Sequence, residues 1–252
     1  MNKRAFLKKA AHLAWAPLLF SDLELMVQTV MDLSPKSLAK EEEFWLEIRK
    51  GYKLKSEYIN LENGYYCITP QKILQAYIEH TKMMNLEGSF YMRTRKHEDK
   101  LKIGNRLADL VGAKHGEVIV TRNTTESLDT VISGYDWKSG DEAVWAVHDY
   151  GAMKNQFRYM EKRWGITNRI IEVPIDPQTD EEIVALYEAA ITKNTKLLMV
   201  CHMINISGQI LPVRKICDMA HQYNVDVMVD GAHTLAHLDF KIEDLNCDYY
   251  GA

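Results

Sequence analysis

The residue type and placement that point most directly to chemistry are those of Asp230. It closes the apolar run Val225-Asp226-Val227-Met228-Val229-Asp230-Gly231-Ala232-His233. A carboxylate ending a buried strand is desolvated, which costs free energy unless a cation or hydrogen-bond donor meets it. Gly231 and Ala232 leave room for a flat group to approach the backbone. One ligand that suits such a place is a metal ion, with Asp230, His233, His237 and Asp239 as donors and the two histidines four positions apart. The other is a pyridinium ring. A carboxylate beside a pyridine nitrogen keeps that nitrogen protonated, so the ring can accept electrons from a substrate carbanion.

Three further clusters bear on this choice. Arg122-Asn123-Thr124-Thr125-Glu126 offers hydroxyls and backbone N–H groups at a helix start, where an anion is favoured. The same residues would equally cap the helix, with Asn123 or Thr124 as the cap. No GxGxxG glycine pattern precedes them, so the anion expected is a single phosphate rather than a dinucleotide. His148-Asp149-Tyr150-Gly151-Ala152 puts an aromatic ring where it can stack on a flat ligand or simply cover a helix start. His202-Met203-Ile204-Asn205-Ile206-Ser207-Gly208 carries Asn205 in an unusually apolar loop, where it either ties the loop or points into a site. Pyridoxal phosphate (PLP) satisfies Asp230, Tyr150 and the Asn123–Thr125 segment at once.

These clusters need a scaffold, and the chain supplies one by alternation. Short apolar runs at 118–121, 143–147, 169–173, 196–201, 225–229 and 248–251 are separated by helix-like stretches at 124–133, 152–164, 180–191 and 213–223. Uninterrupted apolar strands between helices imply a mostly parallel sheet covered on both faces. In such sheets ligands bind at the carboxyl ends of the strands, where every cluster above falls. Upstream, amphipathic spacing predicts helices over 37–53 and 97–111, and Pro70 opens another. Gly112 is placed to terminate the helix before it.

Composition narrows the partners. The chain has 252 residues, 46% hydrophobic and 26% charged, with a net charge of -4. Basic and acidic residues are interleaved, which leaves no basic face for nucleic acid. Cys67, Cys201, Cys217 and Cys247 form no CxxC pair, so neither a zinc knuckle nor a disulfide framework is expected. At the N-terminus, Lys3, Arg4, Lys8 and Lys9 precede an apolar run from Ala10 to Phe20, too short to span a bilayer. The order resembles a secretion signal of twin-arginine type with lysine in the first basic position, implying export to the periplasm. An N-terminal helix of a cytoplasmic protein is the alternative. Neither implies stable membrane insertion.

The ordered set Asn-Thr-Thr-Glu, His-Asp-Tyr-Gly-Ala, Asn-Ile-Ser-Gly-Gln-Ile-Leu-Pro and Val-Asp-Gly-Ala-His resembles the aminotransferase class V family of fold type I PLP enzymes. The similarity looks strongest to its isopenicillin N epimerase-like branch and runs from about Glu43 to Ala252. It implies an α/β fold, a three-layer α/β/α large domain around a mostly parallel sheet. The expected organisation is a leader at 1–36, an N-terminal helical arm at 37–95 and the PLP-binding domain at 96–252. It implies that Asn123, Thr124 and Thr125 hold the phosphate, Tyr150 stacks on the ring, and Asn205 lines the site. Asp230 pairs with the ring nitrogen and His233 bonds the phenolic oxygen, so these two carry catalytic roles. An amino-acid substrate and a homodimeric full-length parent are also implied. The reaction expected is epimerase- or aminotransferase-like chemistry at the α-carbon. Cysteine desulfurase or selenocysteine lyase chemistry is the alternative within the family, and a metal-dependent hydrolase the alternative outside it. In relatives, the segment matching Asp248-Tyr249-Tyr250-Gly251-Ala252 runs on within a few residues to the lysine that carries PLP. None of the lysines here holds that position; Lys241 lies in a polar loop before the last strand. The expectation is therefore an incomplete C-terminus, lacking the small domain and inactive alone.

Overall fold

A computed structural model describes residue 30 and residues 33–252. The expected leader, Lys3 to Phe20 at its centre, lies outside the described residues. The chain divides into two compact units, one ending at Ile103 and the other covering Gly104–Ala252. In the first, α1 (Pro35–Leu38) starts at Ser34, whose hydroxyl accepts the Ser37 N–H, and α2 spans Glu42–Lys50. Pro70 stands immediately before α3 (Gln71–Glu87), and α4 covers Ser89–Thr94. The single helix predicted over 37–53 is thus two pieces broken at residues 39–41. Helix α5 (Lys96–Val111) ends at Gly112, whose φ of +72° is the left-handed conformation that closes a helix without strain.

The second unit holds the sheet. Its elements are α6 (Thr124–Gly134), β1 (Glu142–Ala146), α7 (Gly151–Trp164), β2 (Thr167–Ile171), α8 (Asp180–Ala190), β3 (Thr195–Cys201), α9 (Val213–Gln222), β4 (Asp226–Asp230), α10 (Ile242–Leu245) and β5 (Tyr249–Gly251). The strands lie in the order β2-β1-β3-β4-β5, and every neighbouring pair is parallel. Successive side chains of a strand point to opposite faces, and the two cores follow that alternation. Val144, Ala146, Leu198, Val200, Val227 and Val229 pack with Ile183, Tyr187 and Ile216 from α8 and α9. Ala143, Trp145, Leu197, Met199 and Met228 pack with Leu128, Ile132, Met153 and Phe157 from α6 and α7. Two helical layers sandwich one parallel sheet.

One expected strand does not form. Residues 118–121 belong to no strand, and Ile119 and Val120 are 81% and 44% exposed rather than buried. Apolar sequence makes a buried strand only where a ladder partner and a covering layer exist, and the sheet among the described residues ends at β5 without reaching this segment. The segment instead lines an open groove of about 600 Å³ together with Asn123, Ser127, Tyr250 and Ala252. Strand β2 is the other edge, and its side chains are largely exposed. Among the described residues, no helix is long and apolar enough to cross a membrane.

Candidate functional site

Parallel strands bring their carboxyl ends to one edge, and the backbone there is closely tied. Cys201 pairs with Asp230 in the β3–β4 ladder, and Asp230 with Gly251 in the β4–β5 ladder. His202 N–H donates to the Asp230 carbonyl at 2.8 Å, and Gly231 N–H to the Gly251 carbonyl at 2.7 Å. Gly251 sits tight against α6: a Cβ there would fall 2.6 Å from Leu128 Cδ2 and 3.4 Å from Ser127 Cβ. The first turn of α6 therefore lies beside the end of β5 and one strand from Asp230.

Asn123 caps α6. Its Oδ1 accepts the Glu126 N–H at 2.9 Å, and Glu126 in turn accepts the Arg122 N–H at 2.7 Å and its guanidinium at 3.0 and 3.1 Å. Of the two roles open to Asn123, capping is the one its side chain plays here. The N–H groups of Thr124 and Thr125 occupy the first turn and have no acceptor within the helix. Both side chains are half-buried. That turn is a donor-rich, positively polarised place for an anion.

Asp230 is 5% exposed. Its Oδ1 accepts the Ala232 N–H at 3.1 Å. Burial raises its pKa, while the Ala232 N–H and the neighbouring His233 ring pull it back down. A desolvated carboxylate with one N–H donor is the arrangement a cationic ring nitrogen satisfies. His233 is half-buried on the turn that follows. Tyr150 is 39% exposed and stands immediately before α7, and Asn205 is half-buried in the loop after β3. All seven expected site residues thus sit on segments that leave the carboxyl edge of the sheet or flank it.

Two details depart from expectation. The space above Gly231 is filled from within, because a Cβ there would lie 2.0 Å from the Tyr250 ring. The glycine accommodates Tyr250 rather than an approaching ligand, and the Tyr250 hydroxyl is fixed by Thr234 Oγ1 at 2.6 Å. The metal alternative also loses its ligand set. His237 directs Nδ1 to the His233 carbonyl at 2.8 Å, and among the described residues no three His, Cys, Asp or Glu side chains gather to hold a metal. Lys241 is committed elsewhere, donating to the Leu110 carbonyl at 2.6 Å.

Sequence reasoning passed over several groups at this edge. Asp149 is 2% exposed, and burial lifts its pKa to about 8. Its signal was available, since it follows a buried strand just as Asp230 ends one. Cys201 and Tyr187 also face this interior, and burial pushes both pKa values up. His202 is 5% exposed and lies edge-on to Phe240 and Tyr250, and burial lowers its pKa. Nothing in the spacing of Tyr187 or His202 distinguishes them from ordinary core residues.

The family model described as Aminotransferase class-V matches residues 67–252. A cysteine desulfurase of Haloferax volcanii is 28% identical over 205 residues, 76% of this chain and 46% of that protein. An isopenicillin N epimerase of Streptomyces clavuligerus is 28% identical over 144 residues, 57% of this chain and 36% of that protein. Among solved structures, a C-DES mutant with glycine covalently linked to the PLP cofactor matches with a TM-score of 0.72 at 24% identity. That match covers 81% of this chain and 54% of the other. The chain spans about half the length, or less, of the curated relatives it matches.

Proposed function

The chain belongs to the aminotransferase class-V family, and from that premise we propose that it is the cofactor-binding part of a PLP-dependent enzyme acting at the α-carbon of an amino acid. The observation that carries this reading is the buried Asp230 at the end of β4, supported by one N–H donor and the His233 ring. Asp230 would pair with the pyridine nitrogen and hold a proton there. The first turn of α6, with Asn123, Thr124 and Thr125, would take the phosphate through backbone N–H groups and hydroxyls. Tyr150 would cover one face of the ring, His233 would hydrogen-bond the phenolic oxygen, and Asn205 would border the same space. PLP, when bound, supplies the electron sink for a carbanion at the substrate α-carbon. In this reading a lysine would carry PLP and move the α-proton, and none of the residues named above fills that role. The active parent is expected to be a homodimer.

Between the reactions open to the family, epimerase- or aminotransferase-like chemistry is supported by the resemblance of the strand-end motifs to the isopenicillin N epimerase-like branch. Desulfurase chemistry is favoured by a different observation, the longer match to the Haloferax volcanii cysteine desulfurase, 205 residues against 144 for the epimerase. One experiment tests the shared core and then the branch. The complete protein, loaded with PLP, should show visible absorbance, and Asp230→Ala should abolish turnover while the fold persists. Sulfide release from L-cysteine would then mark a desulfurase, and loss of optical purity at the α-carbon an epimerase. An active, colourless protein that needs a metal would sink the proposal.

A further inference from the structure

A second buried acid, Asp149, stands at the same edge, and none of the roles above uses it. Its Oδ2 accepts the Ala146 N–H at 2.7 Å, and its own N–H donates to the Ala146 carbonyl at 3.0 Å. These two bonds close the turn that carries the chain from β1 into Tyr150 and α7. Oδ1 is buried and has no hydrogen-bond partner among the described residues. The titratable and charged groups around it come from four elements. Asp230 on β4, Cys201 on β3 and Tyr187 on α8 couple to it electrostatically, and the Tyr187 hydroxyl is likewise buried and unpartnered among the described residues. Lys154 on α7 acts on it through space but gives its ammonium to the Val147 carbonyl at 2.7 Å. An ionised carboxylate here would have one N–H donor and a second carboxylate as neighbour, a costly state in a dry interior.

We propose that Asp149 works as a neutral carboxylic acid, a positioning residue that clamps the turn leading into Tyr150 and leaves the negative charge at the strand ends to Asp230. Its service to a cofactor rests on the PLP reading above, whereas its protonation does not. Burial is the main cause of its high pKa, the Asp230 charge adds to it, and the Ala146 N–H opposes both. The folded value of about 8 lies above the unfolded value of 3.8. The proton's contribution to stability is therefore complete below the unfolded value, declines as pH rises between the two, and is lost above about 8.

The test uses residues 1–252 without PLP, then with it. Infrared difference spectra at pH 6 should show a protonated carboxyl C=O band that shifts in heavy water and disappears in Asp149→Asn. That variant keeps an oxygen for the Ala146 N–H, so it should fold. From pH 5 to pH 8 the native melting temperature should fall relative to that of Asp149→Asn, and the offset should then stay constant. Titration with PLP, followed by protein fluorescence, should give Asp149→Asn an affinity within twofold of native and Asp149→Ala one at least fivefold weaker. Parallel pH curves with no lost C=O band would overturn the neutral acid. Equal loss of PLP affinity in the Asn and Ala variants would overturn the clamp. If the native chain bound no PLP, the cofactor reading would fail while the spectra and pH curves still judged Asp149.

Discussion

The Tyr250 ring occupies the place a side chain on Gly231 would need: a Cβ there would fall 2.0 Å from both Cζ and the phenol oxygen. The ring is held, because its hydroxyl bonds Thr234 Oγ1 and its edge meets His202 and Phe240. Overfilling a packed site of this kind costs about 1–3 kcal/mol. Gly231→Ala should therefore lower the melting temperature measurably. Adding Tyr250→Ala should recover part of the loss, since the two changes share one space. Additive losses would refute the steric account.

Asp230 tests electrostatics separately from packing. Burial raises its pKa, so its proton contributes stability at low pH that is lost as pH climbs through the folded value. Asp230→Asn removes the ionisation and keeps an acceptor for the Ala232 N–H. Without PLP the variant should be at least as stable as native at pH 8, and PLP affinity should drop tenfold or more. A variant that melts lower at pH 8 yet binds PLP as before would overturn the proposed pairing of Asp230 with the ring nitrogen.

The opposite sign holds at the other edge of the sheet. Glu142 is 6% exposed and takes the Arg169 guanidinium at 2.7 and 3.0 Å, with Thr192 Oγ1 at 2.5 Å. Arg169 first, then the threonines, hold its pKa down against burial. That stability is present above the unfolded value of 4.5 and is lost as pH falls through the folded one. Arg169→Ala leaves a buried carboxylate with fewer donors and should lower stability. Urea melts at pH 7 and pH 3.5 check it, and the difference between variant and native should shrink in acid.

How much of this was readable in advance depended on whether a residue's role was local. Val227 and Val229 on one face and Met228 on the other announce a two-sided strand, and Asp230 at its end announces a desolvated charge. Asn123 and Glu126 are legible because capping is settled within four residues. Residues 118–121 misled because burial needs a partner strand and a covering layer, which no local pattern guarantees. Gly231 misled because its neighbour, Tyr250, is nineteen positions away in sequence. Asp149 carried the same signal as Asp230 but was overshadowed by the aromatic beside it.

Edge exposure gives a prediction about association. β5 pairs only with β4 among the described residues, and Ile119 and Val120 lie exposed beside the groove that Tyr250 lines. Unprotected strand edges flanked by apolar surface recruit other chains. Residues 1–252 should self-associate with rising concentration in sedimentation velocity, and Ile119→Lys with Val120→Lys should suppress it. A native sample monodisperse at high concentration would contradict this.

Covalent chemistry gives the last prediction. Under the proposed reading, the contacts offered to PLP in residues 1–252 would be non-covalent: the first turn of α6, the Tyr150 ring and the Asp230 carboxylate. Together these are the kinds of contact that hold a phosphate and an aromatic cation, but weakly without a covalent anchor. Lys241, the lysine nearest the last strand in sequence, already donates to the Leu110 carbonyl, and its stem packs where a Cβ on Gly112 would sit. Other lysines described here, such as Lys154 and Lys215, are committed to Val147 and to Asp180 and Glu181. Borohydride reduction of the PLP-loaded chain should therefore leave cofactor scattered over surface lysines at low yield, as peptide mass mapping would show. No amino acid should be turned over. Stoichiometric PLP fixed on one lysine, together with turnover, would identify that lysine as the anchoring residue and refute this account of the lysines.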